Sequence, residues 1–204
     1  MNKSCVVIGG GGHARVLMDA LLLSGFEVQG FIDITPKEVC LHGKRIAYLG
    51  PDEGFLEKPI QEGLRFVNGV GSVGDPEKRR EIFKRFKQVG YSFLTVIHPS
   101  AVVAKDATLG EGVQVMAGAI IQTGCKIGNN VIINTRASID HDCVIENHVH
   151  IAPGAVLSGN VTVDESTHIG MGASVIQGIH IPARTLVKAG SVISRSYFVE
   201  TTAL

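Results

Sequence analysis

The chain has 204 residues, enough for one large domain or two small ones, and its 19 basic side chains balance 19 acidic ones. That neutrality excludes the global field that recruits nucleic acid or an anionic membrane, and no apolar run reaches the length of a spanning helix. Hydrophobic residues make up 45% but aromatic ones only 5%, with no Trp and 25 Gly, so the expected core consists of many small, similar layers.

The opening MNKSCVVIGGGGHARV has too short an apolar run, and no small-residue cleavage site, for a signal peptide. A buried first strand accounts for it, and a cytoplasmic protein is the expectation. SCVVIGG reads as a strand entering a glycine turn. HARVLMDALLLSG then spaces Val16, Leu17, Ala20, Leu21 and Leu23 as a helix closed by Gly25. EVQGFID is a second strand ending at Asp33, and LRFVNGVGS is a third with a glycine-rich exit. DPEKRREIFKRFKQVG predicts an amphipathic helix with Asp75 as cap and Pro76 in its first turn. This alternation implies a short parallel sheet, a Rossmann-like α/β half-domain over residues 1–92.

The segment GGGGHA fits GxGxxA, with Asp33 about twenty residues further on. Ninety residues supply only one mononucleotide-binding half, so a complete NAD fold does not fit. A glycine turn at a helix N-terminus still suits phosphates, which its backbone N–H groups can hold. A tight turn without a ligand is the plain alternative.

Residues 93–204 carry one uninterrupted repeat. Steps of six from Ile97 to Ile193 give seventeen positions, all Ile, Val or Leu. The position four after each aliphatic is nearly always small, as at Ala101, Cys125, Ala137, Cys143 and Ala155. The position three after it is often Gly or Asn, residues that tolerate the positive φ of a tight corner. Six residues per side with a corner per side describe a triangular prism, the hexapeptide parallel β-helix, whose coils stack at about the 4.8 Å strand spacing. Prisms of this architecture wind left-handed. Cys125 and Cys143 fall on inward positions eighteen apart and read as core, while no cysteine pair has CxxC spacing for a zinc knuckle or a disulfide framework.

An abbreviated Rossmann unit with a G-x-G-G-H turn, followed by a prism containing NTRASIDHDCVI, resembles the sialic-acid O-acetyltransferase and UDP-4-amino-sugar N-acetyltransferase family. The resemblance runs from Val6 to about Ser194. It implies an acetyl-CoA-dependent transfer to a nucleotide-linked amino sugar in bacterial surface glycan synthesis, or to a sialic acid or other sugar hydroxyl. By resemblance, Gly11, Gly12 and His13 meet the nucleotide-sugar phosphates, and Asp33, Gly71 and Ser72 frame the nucleotide. Asn134 lies in the matching NT segment on the substrate side. His141 matches the general base and Asp142 its orienting acid; His150, Gly159, Met171, Ala189 and Gly190 match acetyl-CoA contacts. The family also implies a homotrimer with active sites between subunits. Two departures stand out: Asp142 replaces the Glu common in the bacillosamine branch, and the chain ends SRSYFVETTAL in place of a Gly-x-Pro-Ala-Lys/Arg tail.

The residues support the assignment independently. Arg136, Asp142 and His148 occupy three successive corners where Gly or Asn would be easier, and such breaks of a local rule tend to mark function. His141 sits one residue before its corner, and Gly159 stacks eighteen residues above it, leaving room for a slender acyl chain. A histidine base there is typically worth 10²–10⁴-fold, with the carboxylate fixing its tautomer. No resident metal is expected. Two alternatives remain open: a zinc hydratase using His141, His148 and His150 across an interface, and a non-catalytic sugar-nucleotide-binding scaffold.

Overall fold

The computed structural model describes residues 4–57 and 63–195. Strand β1 (Ser4–Ile8) is fully buried, as expected for an apolar run covered on both faces. Helix α1 (Gly12–Leu23) follows it, and Gly25 at φ 73° ends the helix. Strands β2 (Glu27–Ile32), β5 (Arg65–Asn68) and β6 (Ser92–Phe93) pair in parallel with β1 in the order β2-β1-β5-β6. Between β2 and β5 lie an antiparallel hairpin, β3 (Val39–Leu41) with β4 (Lys44–Ile46), and a short helix α2 (Glu53–Leu56). Helix α3 (Glu77–Val89) starts two residues beyond Asp75, whose Oδ1 accepts the Glu77 N–H at 2.9 Å. Gly69, at the exit of β5, is required by close packing: a Cβ there would collide with Ile8 O and the Ala14 methyl.

The chain passes from the sheet to the prism between Phe93 and Val96. From there, two-residue strands alternate with corners, and each pairs with the strand eighteen residues on, as in Ile133↔Ile151↔Ile169↔Val187. Among the described residues the prism faces hold six, six and five parallel strands. The first face contains Gln114, Ile132, His150 and His168; the second contains Ile120, Ser138, Val156 and Ser174; the third contains Lys126, Val144 and Thr162. The six-residue aliphatics and the small residues four later form one continuous core, including Ile133, Ala137, Ile139, Cys143 and Ile145. Truncating a core aliphatic to Ala is expected to cost about 2–5 kcal/mol. Ile97 opens the repeat yet is 41% exposed, because it belongs to the bottom coil and has no layer beneath it.

Every corner from Gly112 to Gly190 has positive φ, near 60–70°. The non-glycine corners number more than the three read as functional, since Ser166 and Arg184 adopt the same conformation. The corner N–H groups explain the tolerance: those of Arg136, Asp142 and His148 donate to Ala117 O, Thr123 O and Asn129 O in the coil below. These bonds offset the left-handed strain that a single L-residue carries.

The N-terminal unit covers the first face and the corner between the third and first faces. Leu17, Met18 and Leu21 of α1 share a core with Val96 and Met116 of the prism. From α3, Phe83 stacks on Phe93 and meets the His148 ring edge-on at 5.6 Å.

Candidate active site

The glycine turn and the strand exits form a cavity of about 530 Å³ lined by Gly11, Gly12, His13, Asp33, Val70 and Gly71. Lys37, Asp52, Lys78, Glu81 and Arg85 complete its wall. The α1 N-terminus faces it without a side-chain cap and without an acidic residue in the first turn, so its N–H groups stay available to an anion. Asp33 Oδ2 accepts the Gly10 N–H at 2.8 Å and Lys37 Nζ at 2.7 Å. Burial raises its carboxyl pKa, but the bonds from Lys37, Gly10 and Thr35 outweigh that and hold it below the usual range. Asp33 is therefore an ionised clamp on the turn.

From this cavity a polar seam runs to the prism. Ser72, Asn134 and His150 are brought together: His150 Nδ1 donates to Ser72 O at 2.7 Å, and Nε2 accepts from Asn134 Nδ2 at 3.0 Å. His150 is buried under the N-terminal unit, and burial pushes its pKa down to about 3. It shares this position with His168, 4.7 Å away and edge-on. His148 also lies buried, its Nδ1 accepting from Asn130 Nδ2 at 2.9 Å, with burial lowering its pKa to about 4.

His141 occupies a different corner, between the second and third faces. Its side chain is 47% exposed, with Nδ1 2.9 Å from Asp142 Oδ2. That bond, helped by the charges of Asp140 and Asp142, raises its pKa above the ordinary histidine value. With Nδ1–H held by the carboxylate, Nε2 carries the lone pair that a base needs. The main-chain N–H of His141 is itself capped by Asp140 Oδ1 at 2.8 Å. The imidazole lies over Gly159, where any Cβ would collide with the ring. The space above Gly159, read from the sequence as room for an acyl chain, is thus filled by the imidazole itself.

The structure groups the expected residues in four places. Gly11, Gly12, His13, Asp33 and Gly71 line the cavity; Ser72, Asn134 and His150 sit on the seam; His141, Asp142 and Gly159 form the corner. Met171, Ala189 and Gly190 are exposed at the corner between the first and second faces, across the second face from His141. Within one chain, therefore, His150 lies with the substrate-side residues and apart from the other expected acetyl-CoA contacts. His141, His148 and His150 do not converge, and among the described residues no set of three His, Cys, Asp or Glu side chains is placed to hold a metal. Cys125 and Cys143 are buried, with Sγ donating to Asp140 O and Ser158 O. Sequence reasoning missed Lys37, Lys78 and Arg85 in the cavity, and Asn68, Arg79, Gln114 and Asn130 in the seam. None of these carries a local signal in the sequence, because each gains its role only across the cavity or the seam.

A nucleotide-sized cavity on a half-Rossmann unit, beside a β-helix whose corner presents a carboxylate-held imidazole, defines a hexapeptide-repeat acyltransferase. Residues 4–86 match the PglD N-terminal domain, and residues 124–159 match the bacterial transferase hexapeptide (six repeats). The chain belongs to the family of hexapeptide sugar N-acetyltransferases that pair these two parts. It is 38% identical to a perosamine N-acetyltransferase from Caulobacter crescentus, solved as a His-to-Asn variant with CoA and GDP-perosamine; the match covers 95% of this chain and 89% of that one, with a TM-score of 0.85. The acetyltransferase domain of PglB from Neisseria gonorrhoeae is 32% identical over 97% of this chain and 94% of that one, also with a TM-score of 0.85. A second structure of that domain holds acetyl coenzyme A. A UDP-N-acetylbacillosamine N-acetyltransferase of Bacillus subtilis (strain 168) is 38% identical over 115 residues, 56% of this chain and 52% of the relative. The match thus spans about half the length of that curated relative.

Proposed function

We propose that the protein transfers the acetyl group of acetyl-CoA to the amine of a nucleotide-linked amino sugar. The observation that carries this reading is the pairing of an anion-ready nucleotide cavity with a histidine whose Nδ1–H is held by a carboxylate and whose Nε2 has no hydrogen-bond partner among the described residues. The nucleoside diphosphate occupies the cavity against Gly11, Gly12 and the α1 N-terminus, and the sugar extends past Ser72 toward Asn134. The amine attacks the thioester carbonyl while His141 Nε2 takes its proton; CoA departs as the thiolate and is then protonated. Asp142 keeps the tautomer and stabilises the imidazolium. In this division residues 1–92 bind the nucleotide sugar and residues 93–204 carry acyl transfer.

The reaction centre lies between chains of a homotrimer. The N-terminal unit covers the first face, whereas His141 stands on the opposite corner, so one chain's cavity meets another chain's base. The second face supports this arrangement: Val102, Val156 and Val192 are 60%, 45% and 69% exposed on it, interspersed with half-buried Ile120, Ser138 and Ser174, a surface of small and apolar side chains suited to a second copy. Met171, Ala189 and Gly190 border that same face and would meet acetyl-CoA in the cleft, opposite the His141 ring that covers Gly159 on the neighbouring prism.

The test is thiol release from acetyl-CoA with UDP-, GDP- and dTDP-linked 4-amino sugars, with free sialic acid as the O-acetylation control. Release with a nucleotide amino sugar, reduced about 10²–10⁴-fold in His141→Ala, is the expected result. Release with sialic acid alone, or undiminished release in His141→Ala, overturns the reading.

A further inference from the structure

The seam contains a run of hydrogen bonds whose direction is fixed at one end. Asn68 O is a backbone carbonyl and can only accept. It lies 2.7 Å from Gln114 Nε2 and 2.6 Å from Arg79 Nη1. Gln114 is fully buried, so neither end of its amide turns to water. Reversing the amide would set its oxygen against the Asn68 carbonyl. With its NH₂ group committed there, Gln114 presents Oε1 to His13, 2.8 Å from Nε2. An amide oxygen only accepts, so His13 Nε2 carries the proton, and Nδ1 of the neutral ring is a bare acceptor.

The surroundings keep that ring neutral. Burial and the Arg79 charge hold the His13 pKa to about 4, against the opposing bond to Gln114. Arg79 is itself completely buried, and among the described residues its Nε and Nη2 have no partner and no carboxylate pairs with its charge. Among the described residues nothing donates to His13 Nδ1, and His13 lines the cavity beside Gly71.

We propose that Gln114 is a positioning residue that fixes His13 as the Nε2–H tautomer, so that His13 Nδ1 accepts a hydrogen bond from a hydroxyl of the nucleotide sugar. The diphosphate is then left to the N–H groups of the α1 N-terminus, because a phosphate oxygen and a bare imidazole nitrogen are both acceptors. The prism, through one glutamine, dictates the polarity of a group in the nucleotide cavity. The identity of the ligand rests on the function proposed above; the tautomer does not.

The full-length protein is labelled with ¹⁵N-histidine, and His13 is assigned by comparison with His13→Phe. Nε2 is expected to be protonated and Nδ1 pyridine-like, both free and with UDP or GDP bound. A proton on Nδ1 in either state overturns the proposal. In Gln114→Leu, His13 should lose its single tautomer. KM for the nucleotide sugar should rise roughly five- to tenfold with kcat within about twofold. An unchanged tautomer and unchanged KM in that variant overturn the positioning role. In His13→Phe, binding of inorganic pyrophosphate should be unaffected, and a loss of about tenfold there overturns the proposal. Weaker binding of UDP or GDP places the hydroxyl on the ribose, and weaker binding of the nucleotide sugar alone places it on the hexose. No loss with any ligand overturns the contact. Wild-type protein that binds none of these ligands would instead bring down the functional reading, while the spectrum of the free protein still decides the tautomer.

Discussion

The corner at His141 and the seam around His148 and His150 use the same side chain for opposite purposes. At the corner the ring is half-exposed and bonded to one carboxylate, which raises its affinity for a proton. In the seam the rings are buried and face amides and carbonyls, with Arg79 nearby, and their affinity falls. Charge partner against burial decides the outcome, since nothing intrinsic to histidine differs. The corner's electrostatics suit the proton transfer proposed for His141. The seam is built to hold two parts of the chain together with neutral, directional bonds.

The sharpest way to break this contrast is at Gly159. Gly159→Ala places a methyl where the His141 ring lies, so the ring must leave its place over the corner. Gly159 lacks positive φ, and the backbone should accept Ala without strain. Activity should fall about 10²-fold, in line with displacing a base by an ångström, while the melting temperature stays nearly unchanged. Wild-type turnover in that variant would separate the ring's position from catalysis.

Asp142→Asn tests the charge partner alone. The base works unprotonated, so kcat/KM should fall as pH drops through the raised His141 pKa. Removing the carboxylate lowers that pKa and moves the acid limb to lower pH, with kcat at neutral pH reduced by roughly tenfold. A limb that does not move would assign the pH dependence to another group.

The smallest effect belongs to the seam. His13, His148 and His150 have folded-state pKa values near 4, 4 and 3, below the unfolded value of 6.5. Above pH 6.5 they are neutral in both states and contribute no pH dependence. Below it the unfolded chain takes up protons that the folded chain refuses, so stability falls with pH toward 4, by up to about 1.4 kcal/mol per pH unit for each group. Thermal melts between pH 7 and 5 measure this, and His148→Phe should flatten the slope. A flat profile in the wild type would show that the seam does not exclude protons.

The prism was legible because its rule is local: every sixth residue points inward and every corner needs positive φ, so composition at fixed offsets suffices. His141 was legible for a related reason, as a titratable residue beside a corner that glycine would fill more easily. Ser166 and Arg184 break the same rule away from the corner of His141, which shows that the rule marks tolerance as well as function. The hairpin of β3 and β4 was not foreseen, since its strands are three residues long and its turn is made by His42 and Gly43, a weaker signal than Asn-Gly. The seam was illegible for a deeper reason. Asn68, Arg79, Gln114 and Asn130 acquire their meaning only once the N-terminal unit chooses a face to cover, and no local pattern announces that choice.

The eighteen-residue stacking makes this part of the sequence two-dimensional, with each residue adjacent to its chain neighbours and to the residues one coil above and below. Tolerance to change should follow that grid. A one-residue insertion below His141 would rotate every later side chain off its face and bring Pro153, whose ring fixes φ near −65°, to a corner that needs positive φ. A whole inserted coil above the seam would leave each face its own residues, whereas one placed below His141 would lift the corner by one strand spacing and carry His148 and His150 away from Phe83 and Ser72. Length variation in such a chain is therefore quantised: full coils preserve the prism, and the seam limits where they can be added.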